Sequence, residues 1–238
     1  MTWSIIARDA HTGKFGIAVA TRFFAAGALV PYTRAGAGAI ASQALVNPFF
    51  GTNGLKFLRD GLSAAETLSK LVASDDGSAH RQAHVMDAAG DAAIHTGAAC
   101  IDWCGGTCEP NLSVAGNMLA NANVIAATAA AYRAHSNVPL AGRLIAALKA
   151  GEAAGGDKRG KQSAALVIQG DEDWPDLDLR VDDHADPLAE LERLESVSRE
   201  RFVHFMRYLP SRANPNGVTD RAAIEAGIER ARRAPSQP

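Results

Sequence analysis

This sequence lacks most of the features that usually identify a function. It carries three cysteines, an odd number that fits a reducing compartment better than a disulfide framework. No apolar run approaches the roughly 18 residues that a transmembrane helix requires. Neither charge dominates: 24 basic residues face 26 acidic ones, for a net charge of −2, so no global field recruits nucleic acid or an anionic membrane. No basic stretch followed by an apolar core opens the chain, because Arg8 and Asp9 interrupt the one candidate. The expectation is a cytoplasmic protein without a signal peptide. A G-x-S-x-G elbow is absent, as are a G-x-G-x-x-G turn after a strand and a G-x-x-x-x-G-K-[ST] loop. A Ser-His-Asp hydrolase, a dinucleotide cofactor and a phosphate cradle therefore lack support, and Asp183-His184 alone makes no triad. Cys100, Cys104 and Cys108 stand four apart, twice, which matches no zinc-ribbon or finger spacing. No metal and no organic cofactor is expected.

The 238 residues are 47% apolar and 21% charged, enough for one sizeable core with an appendage. Residues 2–9 and 15–21 read as strands joined by A-H-T-G. The second is apolar on both faces, as in a strand covered on both sides. Residues 29–46 continue as strand, with Gly36 and Gly38 allowing close approach of backbone or ligand. Helices follow at 54–61 and after the capping box Ser63-Ala-Ala-Glu66. A hairpin over 81–97 turns at Asp87 to Asp91, and 112–116 is a short strand. Helices at 121–134 and 138–150 lead to a buried strand at 163–169 and another near 177–181. Asp186-Pro187 starts a helix, whose apolar stripe runs from Leu188 to Leu209, and a last helix near 219–232 ends in a frayed basic tail. The order suits two antiparallel sheets with helices outside.

Met1 is followed by Thr2 and at once by strand. With Met1 removed, Thr2 carries a hydroxyl beside a free α-amine whose reference pKa is near roughly 8. Threonine with its own amine is a recognised activated nucleophile; the plain alternative is that Thr2 is simply the first residue of a β-strand, where threonine is common. Arg22, at the end of the second strand, is placed to lower an amine pKa and to meet an oxyanion; Arg34 is a second such cation. Gly155-Gly-Asp-Lys-Arg-Gly-Lys-Gln-Ser163 packs polar groups at the mouth of a buried strand. Asp157 and Arg159 can hold charged ends of a substrate there, and Gln162 can donate an amide hydrogen. Asp102 and Asn117 are further polar candidates, and Gln43 and Asn47 flank an apolar turn as candidate donors.

The segments M-T-W-S-I-I-A-R-D, G-I-A-V-A-T-R, A-G-A-G-A-I-A-S-Q, G-N-M-L, A-G-G-D-K-R-G-K-Q-S-A-A-L and R-V-D-D-H-A-D-P-L-A-E-L occur in this order. With them the chain resembles a bacterial family, the domain of unknown function family 1028, placed in the N-terminal-nucleophile hydrolase superfamily. The resemblance runs from residue 1 to about residue 195. It implies an α+β, four-layer αββα sandwich; the residue patterns then divide the chain into that domain over 1–185 and a helical extension over 186–238 that packs on the domain or on a partner subunit. It also implies an amide-cleaving site at the mature N-terminus, with Thr2 as nucleophile; the residues themselves nominate Arg22 or Asn117, beside backbone amides of the glycine-rich strands, for the oxyanion, and Arg34, Gln43, Asn47, Asp102, Asp157, Arg159 and Gln162 around the substrate. The expected partners are a small amide substrate and a second copy of the chain, with no nucleic acid and no membrane. The alternative is a ligand-binding or assembly protein that keeps the fold without catalysis.

Overall fold

A computed structural model describes residues 2–233. The expectations on Met1 removal and on the last few residues of the basic tail fall outside them. Strands β1 (Thr2–Arg8) and β2 (Phe15–Thr21) form a hairpin at the centre of a six-stranded antiparallel sheet. β8 (Leu112–Asn117) and β7 (Gly105–Glu109) extend it on one side, β9 (Ser163–Gln169) and β10 (Leu177–Val181) on the other. A second antiparallel sheet runs β3 (Pro31–Arg34), β4 (Gly38–Ala44), β5 (Arg81–Asp87), β6 (Ala92–Thr96). The run over 29–46 is thus two strands, not one. Gly36 and Gly38 both have positive φ and turn the chain, and a Cβ on Gly38 would strike the carbonyl of Met86 in the next strand.

Seven α-helices are described: α1 (Pro48–Arg59), α2 (Ala64–Ala73), α3 (Asn123–Ala134), α4 (Leu140–Ala153), α5 (Pro187–Glu200), α6 (Phe202–Phe205) and α7 (Arg221–Arg233). α1 begins six residues before the expected helix because Asn47 caps Phe49 N and Pro48 occupies the first position. The Ser63–Glu66 capping box forms in full. The stripe expected to run to Leu209 is interrupted at Arg201, where φ is −150°.

Three apolar clusters explain the packing. Ile40, Ala83 and Val85 meet Phe50, Leu58, Leu68 and Leu71 of α1 and α2. Trp3, Ile5, Val114 and Leu166 meet α3 and α4, and Leu188 and Leu191 of α5 join the same cluster. Between the sheets lie Ile6, Ile17 and Val19 against Ala39, Ala41 and Met86. Side chains alternate along a strand, so Ile5 and Ile6 serve opposite faces, which is why β1 and β2 are apolar throughout. No helix among the described residues is long and apolar enough to cross a membrane.

Candidate functional site

Toward Thr2 the contact between the sheets changes from apolar to polar. Thr2 pairs with Asn117 in the β1–β8 register, and Ser4, Gln43, Gln82, His84 and Ser113 are all at 0% exposure. Buried polar groups must find partners, and here they find one another. Gln82 Nε2 lies 2.8 Å from the Gly116 carbonyl, 3.2 Å from the Gly105 carbonyl and 2.9 Å from Thr96 Oγ1. Two of these partners can only accept, so the NH2 end of Gln82 must face them. Its Oε1 then accepts from Gln43 Nε2 at 2.8 Å and from Asn117 Nδ2 at 3.0 Å. Gln43 Nε2 also donates to the Ala115 carbonyl at 3.1 Å, and Gln43 Oε1 accepts from Ser4 Oγ at 2.7 Å. With its hydrogen so used, Ser4 accepts from His84 Nε2 at 2.8 Å. His84 Nδ1 is left to accept from Ser113 Oγ, also at 2.8 Å. This neutral tautomer agrees with a His84 pKa lowered to about 3 by burial.

At the other end of this chain Asn117 Nδ2 also donates to the Thr2 carbonyl at 3.4 Å. Thr2 is 7% exposed, and its Oγ1 lies 3.2 Å from Thr21 Oγ1. Beyond Thr21 the chain passes Arg22, whose main-chain N–H donates to Asp157 Oδ2 at 2.8 Å. Asp157 has no exposed side-chain surface and also accepts from Arg159 N at 2.8 Å and Nη2 at 3.1 Å. The guanidinium of Arg22 donates to the Lys161 carbonyl at 3.1 Å, and Gln162 N donates to the Thr21 carbonyl at 2.9 Å. The glycine-rich loop before β9 is therefore laced to the chain that follows β2.

The structure gathers Thr2, Arg22, Asn117, Asp157, Arg159 and Gln162 at one end of the six-stranded sheet, with Gln43 beneath. Gln162 Nε2 is engaged with Asp183 Oδ1 at 3.0 Å. Asp102 is exposed; its carbonyl accepts from Lys158 Nζ at 2.8 Å, and Lys158 N reaches the Met118 carbonyl, which leaves Asp102 at the margin. Asn47 does not join the group: its Oδ1 caps α1 and its Nδ2 donates to Asp75 at 2.8 Å. Arg34 is not brought to the group either. It pairs with Gly38, five residues along β4 from Gln43, or roughly 17 Å away at about 3.4 Å per residue. Ser4 and Thr21 fall within segments that carry the resemblance, and Gln82, His84 and Ser113 lie in none of them; no chemical motif sets these five apart. Among the described residues no three His, Cys, Asp or Glu side chains converge as for a metal.

No curated protein matches the chain. The crystal structure of protein SPO2555 from Silicibacter pomeroyi, also assigned to the 1028 family, is similar to it, with 33% identity and a TM-score of 0.85. That similarity covers 92% of this chain and 99% of the other. The unmatched remainder is shorter than the segment beyond residue 195, so the likeness continues into the C-terminal helices. The family model described as "Family of unknown function (DUF1028)" matches residues 2–191. The chain belongs to that family.

Proposed function

We propose that the protein is an N-terminal-nucleophile amidohydrolase that cleaves a small amide with Thr2, after removal of Met1. In this reading the two sheets and their covering helices form the four-layer αββα sandwich of that superfamily. One observation carries it. A hydroxyl residue at the start of the sheet's central hairpin is nearly buried, yet ringed by Asn117, Thr21 and the Asp157-anchored chain around Arg22. An ordinary strand end has no need of such a setting.

The Thr2 hydroxyl attacks the amide carbonyl while the α-amine of the same residue takes its proton. Collapse expels the amine of the substrate, which picks up that proton, and leaves an ester on Thr2. Water then attacks the ester, with the α-amine again as base, and releases the acid. Both Asn117 amide hydrogens are already engaged, by Gln82 and by Thr2. Arg22, held by one carbonyl through its guanidinium, is the cation left to meet the developing oxyanion. Arg159 and Gln162 line the approach, and a second copy of the chain completes the reading as a homodimer.

The test is intact mass together with covalent labelling by a β-lactone probe. Loss of Met1, one adduct on Thr2 and none on Thr2→Ala are expected. Retained Met1 in protein that turns over an amide would sink the reading. Ligand-induced thermal stabilisation without adduct or turnover would favour the non-catalytic binder.

A further inference from the structure

The hydrogen-bond directions around Gln82 carry a consequence for Thr2. Main-chain carbonyls cannot donate, so Gly105 and Gly116 fix the face of the Gln82 amide without reference to any other side chain. Its oxygen is thereby aimed at Asn117, whose NH2 must answer it, and the second Asn117 hydrogen goes to the Thr2 carbonyl. We propose that Gln82 is a positioning residue for Thr2. Anchored on two carbonyls, it dictates the orientation of the Asn117 carboxamide, which tethers the first peptide group of β1 and keeps only its oxygen for other contacts. Gln82 lies on β5, in the opposite sheet, so the tether also sets the spacing between the sheets at this end. Asn117 is accordingly an acceptor toward anything bound beside Thr2, never an oxyanion donor.

This inference rests on the reading of Thr2 as nucleophile for its effect on rate, but not for the geometry, and the two are separable. In 15N-labelled full-length protein, both Asn117 Nδ2 hydrogens are expected to exchange slowly and to show contacts to Thr2 and Gln82. An Asn117 amide exchanging as fast as a free asparagine would overturn the proposal whether or not Thr2 is reactive. Gln82→Met keeps the length and removes the anchor. Its β-lactone labelling rate is expected to fall about 10- to 100-fold, the scale of a misplaced reacting group, with the affinity of the probe little changed. Ser113→Ala is the control. It removes the far hydrogen bond to His84 and leaves both carbonyl anchors, so its labelling rate stays within about twofold of wild type despite lower stability. Equal falls in the two variants would mean general loosening and would overturn the proposal. If Gln82→Met does not fold, the exchange measurement on the wild type decides alone. If the wild type takes no label at Thr2, the nucleophile reading fails and the orientation of Asn117 is still decided.

Discussion

His84 sits between two serine hydroxyls with no exposed surface, and burial holds its pKa at about 3 against an ordinary 6.5. The unfolded chain therefore takes up a proton first as pH falls. Above 6.5 neither state is charged at this residue and no pH dependence arises from it. Between 6.5 and about 3 the unfolded state binds more protons, so stability declines, by up to about 1.4 kcal/mol per pH unit. Asp75 acts lower on the scale. Hydrogen bonds from Arg81 and then Asn47 lower its pKa to about 2, and its contribution, present above 3.8, is lost as pH falls from 3.8 to about 2. His84→Gln is expected to be less stable at pH 7, through imperfectly paired serines, yet flatter between pH 6.5 and 4. Thermal melts of both proteins across that range check this, and parallel slopes would contradict it. Of these residues only Asn47 was singled out in the sequence, and there as a ligand donor, not as the cap of α1 and partner of Asp75 that it is. A serine, glutamine or histidine inside a strand reads as its wet face, and only a second polar sheet laid against it turns that face into an interior. Asp157 and Arg159 stood out in the sequence because a glycine-rich turn marks them without any tertiary partner.

Two helices show how far local signals reach. Ser63 with Glu66, and Asp186 with Pro187, start α2 and α5 where they should, because a cap is satisfied within four residues. The interruption at Arg201 has no such signal. No proline or glycine stands there, and Arg201 forms an exposed ion pair with Glu225 of α7, a partner distant in sequence. β7 was missed for a related reason. Gly-Gly-Thr-Cys-Glu is a mostly exposed edge strand with no apolar alternation, held by its register with β8. In α1, Asn47→Ala removes both the cap and the bond to Asp75. The expected loss is about 1–2 kcal/mol, read from a denaturant midpoint. Gly51→Ala weighs two effects against each other. Helix propensity favours alanine by about 1 kcal/mol, but a Cβ there would fall on the ring of Tyr32, whose strand β3 the helix covers. A rigid ring cannot yield as a flexible side-chain end can, so packing wins and the variant is expected to be destabilised despite its better helix former.

Across the whole molecule the interface between the sheets is divided. One end is apolar, with Ile6, Ile17 and Val19 on Ala39, Ala41 and Met86. The other end is the network from Ser113 to Thr2. The apolar end supplies cohesion, while the polar end demands one register, because its donors and acceptors match in only one direction. Outside this pair of sheets the C-terminal helices are not equivalent. Leu188 and Leu191 of α5 are at 3% and 0% exposure within the largest cluster. α7 rests on Tyr208 through Gly227 and buries Ile224 and Ile228, but belongs to none of the three clusters. A chain ending at Thr219 should therefore keep a cooperative melt, lowered by several degrees, since about 1 kcal/mol shifts Tm by roughly 2–4 °C at this size. A chain ending at Ala185 strips two core leucines, at about 2–5 kcal/mol each by analogy with truncation to alanine, out of a total that is typically 5–15 kcal/mol. That chain is expected to lose its cooperative transition. Circular dichroism melts of the two truncations separate the cases: an intact, unshifted melt for the shorter chain would mean that α5 is an appendage and not part of the core.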